Sequence, residues 1–103
     1  MWGSDYPHDE GTYPYTREHL RQVFHDVDRA ELAPLLAGNA AALYGFDVAK
    51  LAPLAAEFGP TVAEIAAPLT ELPANPSQGL ARGYESSSTE DQVLSQDMDA
   101  AAL

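Results

Sequence analysis

The stretch Thr16-Arg17-Glu18-His19-Leu20-Arg21-Gln22-Val23-Phe24-His25-Asp26-Val27 decides the fold class of this chain. Leu20, Val23, Phe24 and Val27 fall at i, i+3, i+4 and i+7, the period of a helix with one apolar face, and Thr16 stands where an N-cap is expected. The same grammar repeats downstream. Asp28-Arg29-Ala30-Glu31 has capping-box spacing, with Asp in place of the usual Ser or Thr, and opens a helix through Leu32, Leu35 and Leu36. Pro34 lies near the interior of that helix and predicts a short or bent segment. Gly38 suits a left-handed helix stop, and Asn39 a cap for a further short helix over 40–44. Asp47 then caps a helix carrying Val48, Leu51, Leu54 and Phe58, which Gly59-Pro60 terminates. Thr61-Val62-Ala63-Glu64 is a complete capping-box pattern opening 62–69, with Pro68 ending it early.

Upstream of the first helix, Trp2, Tyr6, Tyr13 and Tyr15 interleave with Gly3, Pro7, Gly11 and Pro14. That punctuation predicts a short strand at 1–4 followed by a long loop. The aromatic group either lines a pocket for an aromatic substrate or packs the strand and loop against their neighbours. From Pro73 the periodicity is lost, and residues 83–103 hold five acids, no basic residue and one aromatic, Tyr84. Too little apolar surface is present there to offset the entropy of ordering, so 83–103 reads as a disordered acidic tail. The expected architecture is mainly α. Residues 1–82 form one unit, with a short strand and loop at 1–15 and four or five short helices within 16–72.

Composition narrows the function classes. With 103 residues the chain has room for one small domain, well short of the roughly 250 residues of a complete (β/α)8 barrel. Eighteen of its apolar residues are alanines, which form helices well but bury little surface. Such helices usually pack on something larger. The net charge of −11 argues against nucleic acid and anionic membranes as partners, because both demand a cationic footprint. No run reaches the ~20 apolar residues of a membrane span. The absence of cysteine removes disulfides and thiolate zinc sites and suits a cytoplasmic protein.

The densest group of reactive side chains is Asp5, His8, Asp9 and Glu10. A carboxylate leaving a short strand, with an imidazole three residues later, offers two ligand types for a divalent ion, or a general base toward a metal-bound water. The same residue types also serve as turn formers and caps in a Pro/Gly loop.

The run Trp2-Gly3-Ser4-Asp5-Tyr6-Pro7-His8-Asp9-Glu10-Gly11-Thr12, followed by Pro14 and a capped helix, resembles the C-terminal signature of the amidohydrolase-related family. These are metal-dependent (β/α)8-barrel hydrolases and decarboxylases. Gly38-Asn39-Ala40-Ala41-Ala42-Leu43-Tyr44-Gly45-Phe46 is similar to the family's GNAARLYG segment, with Ala42 where Arg is frequent. The similarity fades through Phe58-Gly59-Pro60-Thr61-Val62-Ala63-Glu64-Ile65 and stops near Arg82.

The resemblance implies the C-terminal piece of such a barrel, inactive alone. Asp5 takes the place of the aspartate that ends the last barrel strand, ligates or faces the metal, and handles the proton of the attacking water. His8 falls in the loop after that strand, where a substrate-contact role is implied. The family's other ligands are a His-x-His on the first strand and histidines of middle strands, all upstream. His19 and His25 belong instead to the predicted first helix and read as surface histidines. The implied cofactor is zinc or manganese in the full-length enzyme, with none held tightly by this chain alone. The implied partner is the missing N-terminal barrel portion, or a second copy of the chain. Two other readings remain: a small acidic helical module that binds a partner through exposed apolar helix faces, and a gene remnant without function.

Overall fold

A computed structural model of the chain describes residues 1–86. Helix α1 (Thr16–Phe24) is followed by α2 (Arg29–Ala33), a π-helical turn (Pro34–Gly38), α3 (Asn39–Tyr44), α4 (Val48–Phe58) and α5 (Val62–Ala66). A sixth helix, α6, occupies 78–86. The mainly α expectation holds, with five α-helices inside 16–72.

The expected strand at 1–4 does not form, and no strand occurs among the described residues. A strand needs a neighbour to take its ladder bonds, and none is present. Instead the Trp2 N–H donates to the Leu35 carbonyl at 3.1 Å, docking the N-terminal segment on the helical run.

Several helix ends differ from the expectation. Tyr15, not Thr16, is the N-cap of α1; Thr16 is already helical and its hydroxyl pairs with that of Thr12 at 3.0 Å. The helix ends at Phe24, before Val27, where His25 Nδ1 donates to the Arg21 carbonyl. Gly38 and Asn39 neither stop nor cap. Both are right-handed helical, so 29–44 is a continuous helical run. Pro34 supplies the reason: it has no N–H to give to the preceding turn, and the register widens there, with Asn39 N–H bonding to the Pro34 carbonyl. The left-handed stop falls at Gly45 (φ 72°). The remaining N-cap residues act as expected, although at 28–31 only the Asp28 half of the capping-box pattern is seen. Asp28 accepts from Ala30 N–H, Asp47 accepts from Lys50 N–H, and Thr61 with Glu64 makes a reciprocal capping box.

The core is small. Leu20, Leu32 and Ile65 are buried where α1, α2 and α5 meet, with Trp2, Phe24, Val27 and Leu36 packed against them, while Val23 is exposed. Two arginines one turn apart on α1 hold α4 and α5 in place. Arg17 bonds Glu64 Oε2 (2.7 Å) and the Phe58 carbonyl (2.8 Å), and Arg21 bonds the Ala67 and Pro68 carbonyls, each at 2.8 Å.

Helix α6 is absent from the sequence-based expectation and runs across the boundary placed at 82, so residues 83–86 of the expected tail are helical. The rest of that tail, 87–103, lies outside the described residues. Helix α6 docks on α1 through Leu80, the most buried side chain of the core at 0% exposure. Gln22 Nε2 donates to the Leu80 carbonyl at 3.0 Å, and His19 Nε2 lies 3.1 Å from Ser77 Oγ. A Cβ at Gly83 would stand 2.5 Å from Gln22 Oε1, so a larger residue there would make the Gln22 side chain shift.

Two outcomes follow from this packing. Leu80→Ala should destabilise the chain by about 2–4 kcal/mol in urea unfolding, the range for emptying a buried leucine site; a change below about 0.5 kcal/mol would mean that α6 is not docked. The second concerns His19, whose pKa is lowered from 6.5 by burial, against the opposing pull of Glu18. The unfolded chain then takes up its proton first, so stability is constant above the ordinary histidine pKa and falls as pH drops through it, until folded His19 protonates too. Unfolding midpoints at about pH 7.5 and about pH 5.5 should therefore differ less in His19→Gln than in the parent chain.

Candidate functional site

The loop between the N-terminal segment and α1 is built from backbone bonds rather than apolar burial. Thr12 N–H donates to the Ser4 carbonyl, His8 N–H to the Asp5 carbonyl, and Gly11 N–H to the His8 carbonyl, each at 2.9 Å. Residues 4–12 are thereby tied at the base and pinched in the middle. Gly11 is buried at the crossing point, where a Cβ would lie 2.9–3.0 Å from the carbonyl oxygens of Ser4, Asp5 and His8. All three contacts are backbone, so nothing there can give way. Asp5 itself adopts φ 57°, the left-handed conformation that turns the chain at the start of the loop.

This geometry brings the two sequence-predicted site residues together. Asp5 Oδ1 and His8 Nδ1 are 2.8 Å apart, and both side chains are largely exposed. A carboxylate only accepts, so Nδ1 carries the hydrogen and Nε2 is left as the acceptor in the neutral ring. The pair can thus present an oriented imidazole with a lone pair, and a carboxylate with one oxygen still open.

The same pair does not amount to a metal centre. A hydrolytic site takes three or more protein ligands in fixed geometry, and no group of three such side chains occurs among the described residues. Asp5 and His8 are two donors from one loop. His19 and His25 are engaged elsewhere, with Ser77 and with the α1 C-terminus respectively.

Asp9 and Glu10 are exposed and face a cleft of about 700 Å³ lined also by Ser77, Gln78, Gly79 and Arg82. Ser77 and Arg82 are not among the candidate residues that spacing singles out. Pro76-Ser77 before Leu80 was the available signal, a capping serine opening a helix. The aromatic group divides. Trp2 packs on the core and lines an apolar groove of about 270 Å³ with Leu36 and Val62, whereas Tyr6 and Tyr13 are exposed and meet edge to face at 5.4 Å. No helix among the described residues is long and apolar enough to cross a membrane.

Because the Gly11 neighbours are backbone, Gly11→Ala should displace the whole loop at a cost of about 1–3 kcal/mol. Amide exchange of residues 8, 11 and 12 should accelerate at least roughly tenfold, as expected for the loss of that much local stability. Unchanged exchange would show that the loop is not closed at Gly11.

Comparison with known proteins gives one family match. Residues 1–46 match the amidohydrolase family, a span that takes in both the 2–12 run and the 38–46 segment and ends before the fading similarity at 58–65. No curated protein and no solved structure matches the chain. Over residues 1–46, then, the chain is similar in sequence to the amidohydrolase family.

Proposed function

We propose that this chain supplies the last-strand aspartate and the closing helices of a metal-dependent amidohydrolase-type barrel, acting on a C–N or C–O bond or decarboxylating an aromatic acid. The observation that carries the reading is the Asp5–His8 pair, held at 2.8 Å by a loop whose sequence falls within the family match. In this reading Asp5 is the metal-facing and proton-handling carboxylate, and His8 contacts the substrate with the nitrogen that Asp5 leaves free. The family is generally metal-dependent, but the donors on this chain do not complete a site. The remaining ligands then have to come from a preceding barrel portion, which is the proposed partner. Until that portion is present, the pair has neither the fixed geometry nor the exclusion of water that catalysis demands.

Two measurements test this. Calorimetric titration of the isolated chain with zinc or manganese should show weak, non-stoichiometric binding, and the chain should turn over no amide, ester or aromatic acid. Joined behind the upstream portion of an amidohydrolase-type barrel, the chain should support activity that Asp5→Ala lowers by roughly 10²–10⁴-fold, the usual contribution of a proton-transferring group. His8→Ala should raise KM more than it lowers kcat, and His19→Gln and His25→Gln should leave both nearly unchanged. Tight one-to-one metal binding by the isolated chain, or full activity of the Asp5→Ala fusion, would overturn the proposal.

A further inference from the structure

Helix α4 (Val48–Phe58) buries none of its side chains. Leu51, Leu54 and Phe58 are 45%, 53% and 68% exposed. At 100° per residue they fall within roughly 60° of the helix circumference, a narrow apolar stripe. Along one edge of it stand the two charged residues of α4, Lys50 and Glu57. They are seven positions apart and so share that edge. Lys50 is the only lysine of the chain, and no other basic residue occurs between Arg29 and Arg82. Among the described residues, neither Lys50 nor Glu57 takes part in an ion pair, unlike Asp5 with His8 and Arg17 with Glu64.

This arrangement is self-complementary. With Leu51, Leu54 and Phe58 as successive seam positions, Lys50 and Glu57 occupy equivalent flanking positions one heptad apart. When two such helices pack antiparallel, each edge meets its own copy in reverse. Leu51 of one copy then faces Leu54 of the other, and Lys50 of one faces Glu57 of the other, both twice over. A parallel pairing would not bring that edge onto itself. We propose that α4 is a self-association surface, on which a second copy of this chain packs its α4 antiparallel about a two-fold axis, with the Lys50–Glu57 pairs setting the register. Local charge complementarity favours this occupant against the general repulsion of two chains of net charge −11, because the single cation near the stripe stands where it meets an acid of the second copy. This inference does not depend on the role given to Asp5 and His8.

Sedimentation velocity and light scattering across a concentration series test it. The chain should show a reversible monomer–dimer equilibrium. Lys50→Glu should weaken it by at least roughly tenfold, because two attractive pairs become two repulsive ones. Glu57→Lys should weaken it similarly, although it makes the chain less negative and lowers general repulsion. The double exchange Lys50→Glu/Glu57→Lys should restore dimerisation to within about threefold, since the reciprocal pairs are rebuilt. Circular dichroism of each variant should match the parent, as both side chains are exposed. A monomer at every concentration, an unordered series of larger aggregates, a Glu57→Lys variant that associates as well as the parent, or a double variant without rescue would each overturn the proposal.

Discussion

The packing of this small helical chain depends on Arg17 and Arg21 reaching from α1 to carbonyls that the ends of α4 and α5 leave unpaired. Helix termini expose carbonyls with no partner of their own, and here Phe58, Ala67 and Pro68 are completed by guanidinium groups. Arg17 also holds Glu64, whose other role is to close the capping box on the Thr61 N–H, so one side chain joins the start of α5 to the end of α4. These are partly exposed interactions, each worth little alone. Their weight comes from the scarcity of buried apolar surface: among the described residues, four buried apolar side chains serve six α-helices. With so few apolar contacts, polar bonds that fix which helix ends meet α1 decide the arrangement.

Most of the helical layout was legible in the sequence because its signals are local. Asp28, Asp47 and Thr61 each act within three residues, and Gly59-Pro60 and Pro68 interrupt helices by their own covalent structure. Signals that depend on distant partners were not legible. The strand at 1–4 lacked a neighbour to pair with. Leu80 looked like one apolar residue in a polar quarter, and became the most buried side chain only because α1 offers His19 and Gln22 to the start of its helix. Gly38 and Asn39 misled for a subtler reason. Both are good stop-and-cap residues, but the wider turn begun at Pro34 carries the helix through them.

The candidate site was legible to a similar degree. The spacing of Asp5 and His8 announced a pair, and the structure brings them to hydrogen-bond distance. What spacing could not announce is the scaffold: a buried glycine with three carbonyls crowding the place a Cβ would take, and a backbone bond from Thr12 to Ser4. The loop is preorganised by main-chain geometry, which leaves its side chains free to serve chemistry rather than folding.

That economy has a consequence at position 5. Its backbone sits at φ 57°, where glycine is most comfortable and asparagine and aspartate are the usual substitutes. Conformation alone thus admits three residue types. Of these only aspartate brings an anionic oxygen to orient the imidazole of His8. The position therefore answers to two independent demands whose solutions overlap in a single amino acid. Drift at this site has almost nowhere to go: a glycine relaxes the turn and silences the pair, and a longer acid keeps the charge but strains the turn.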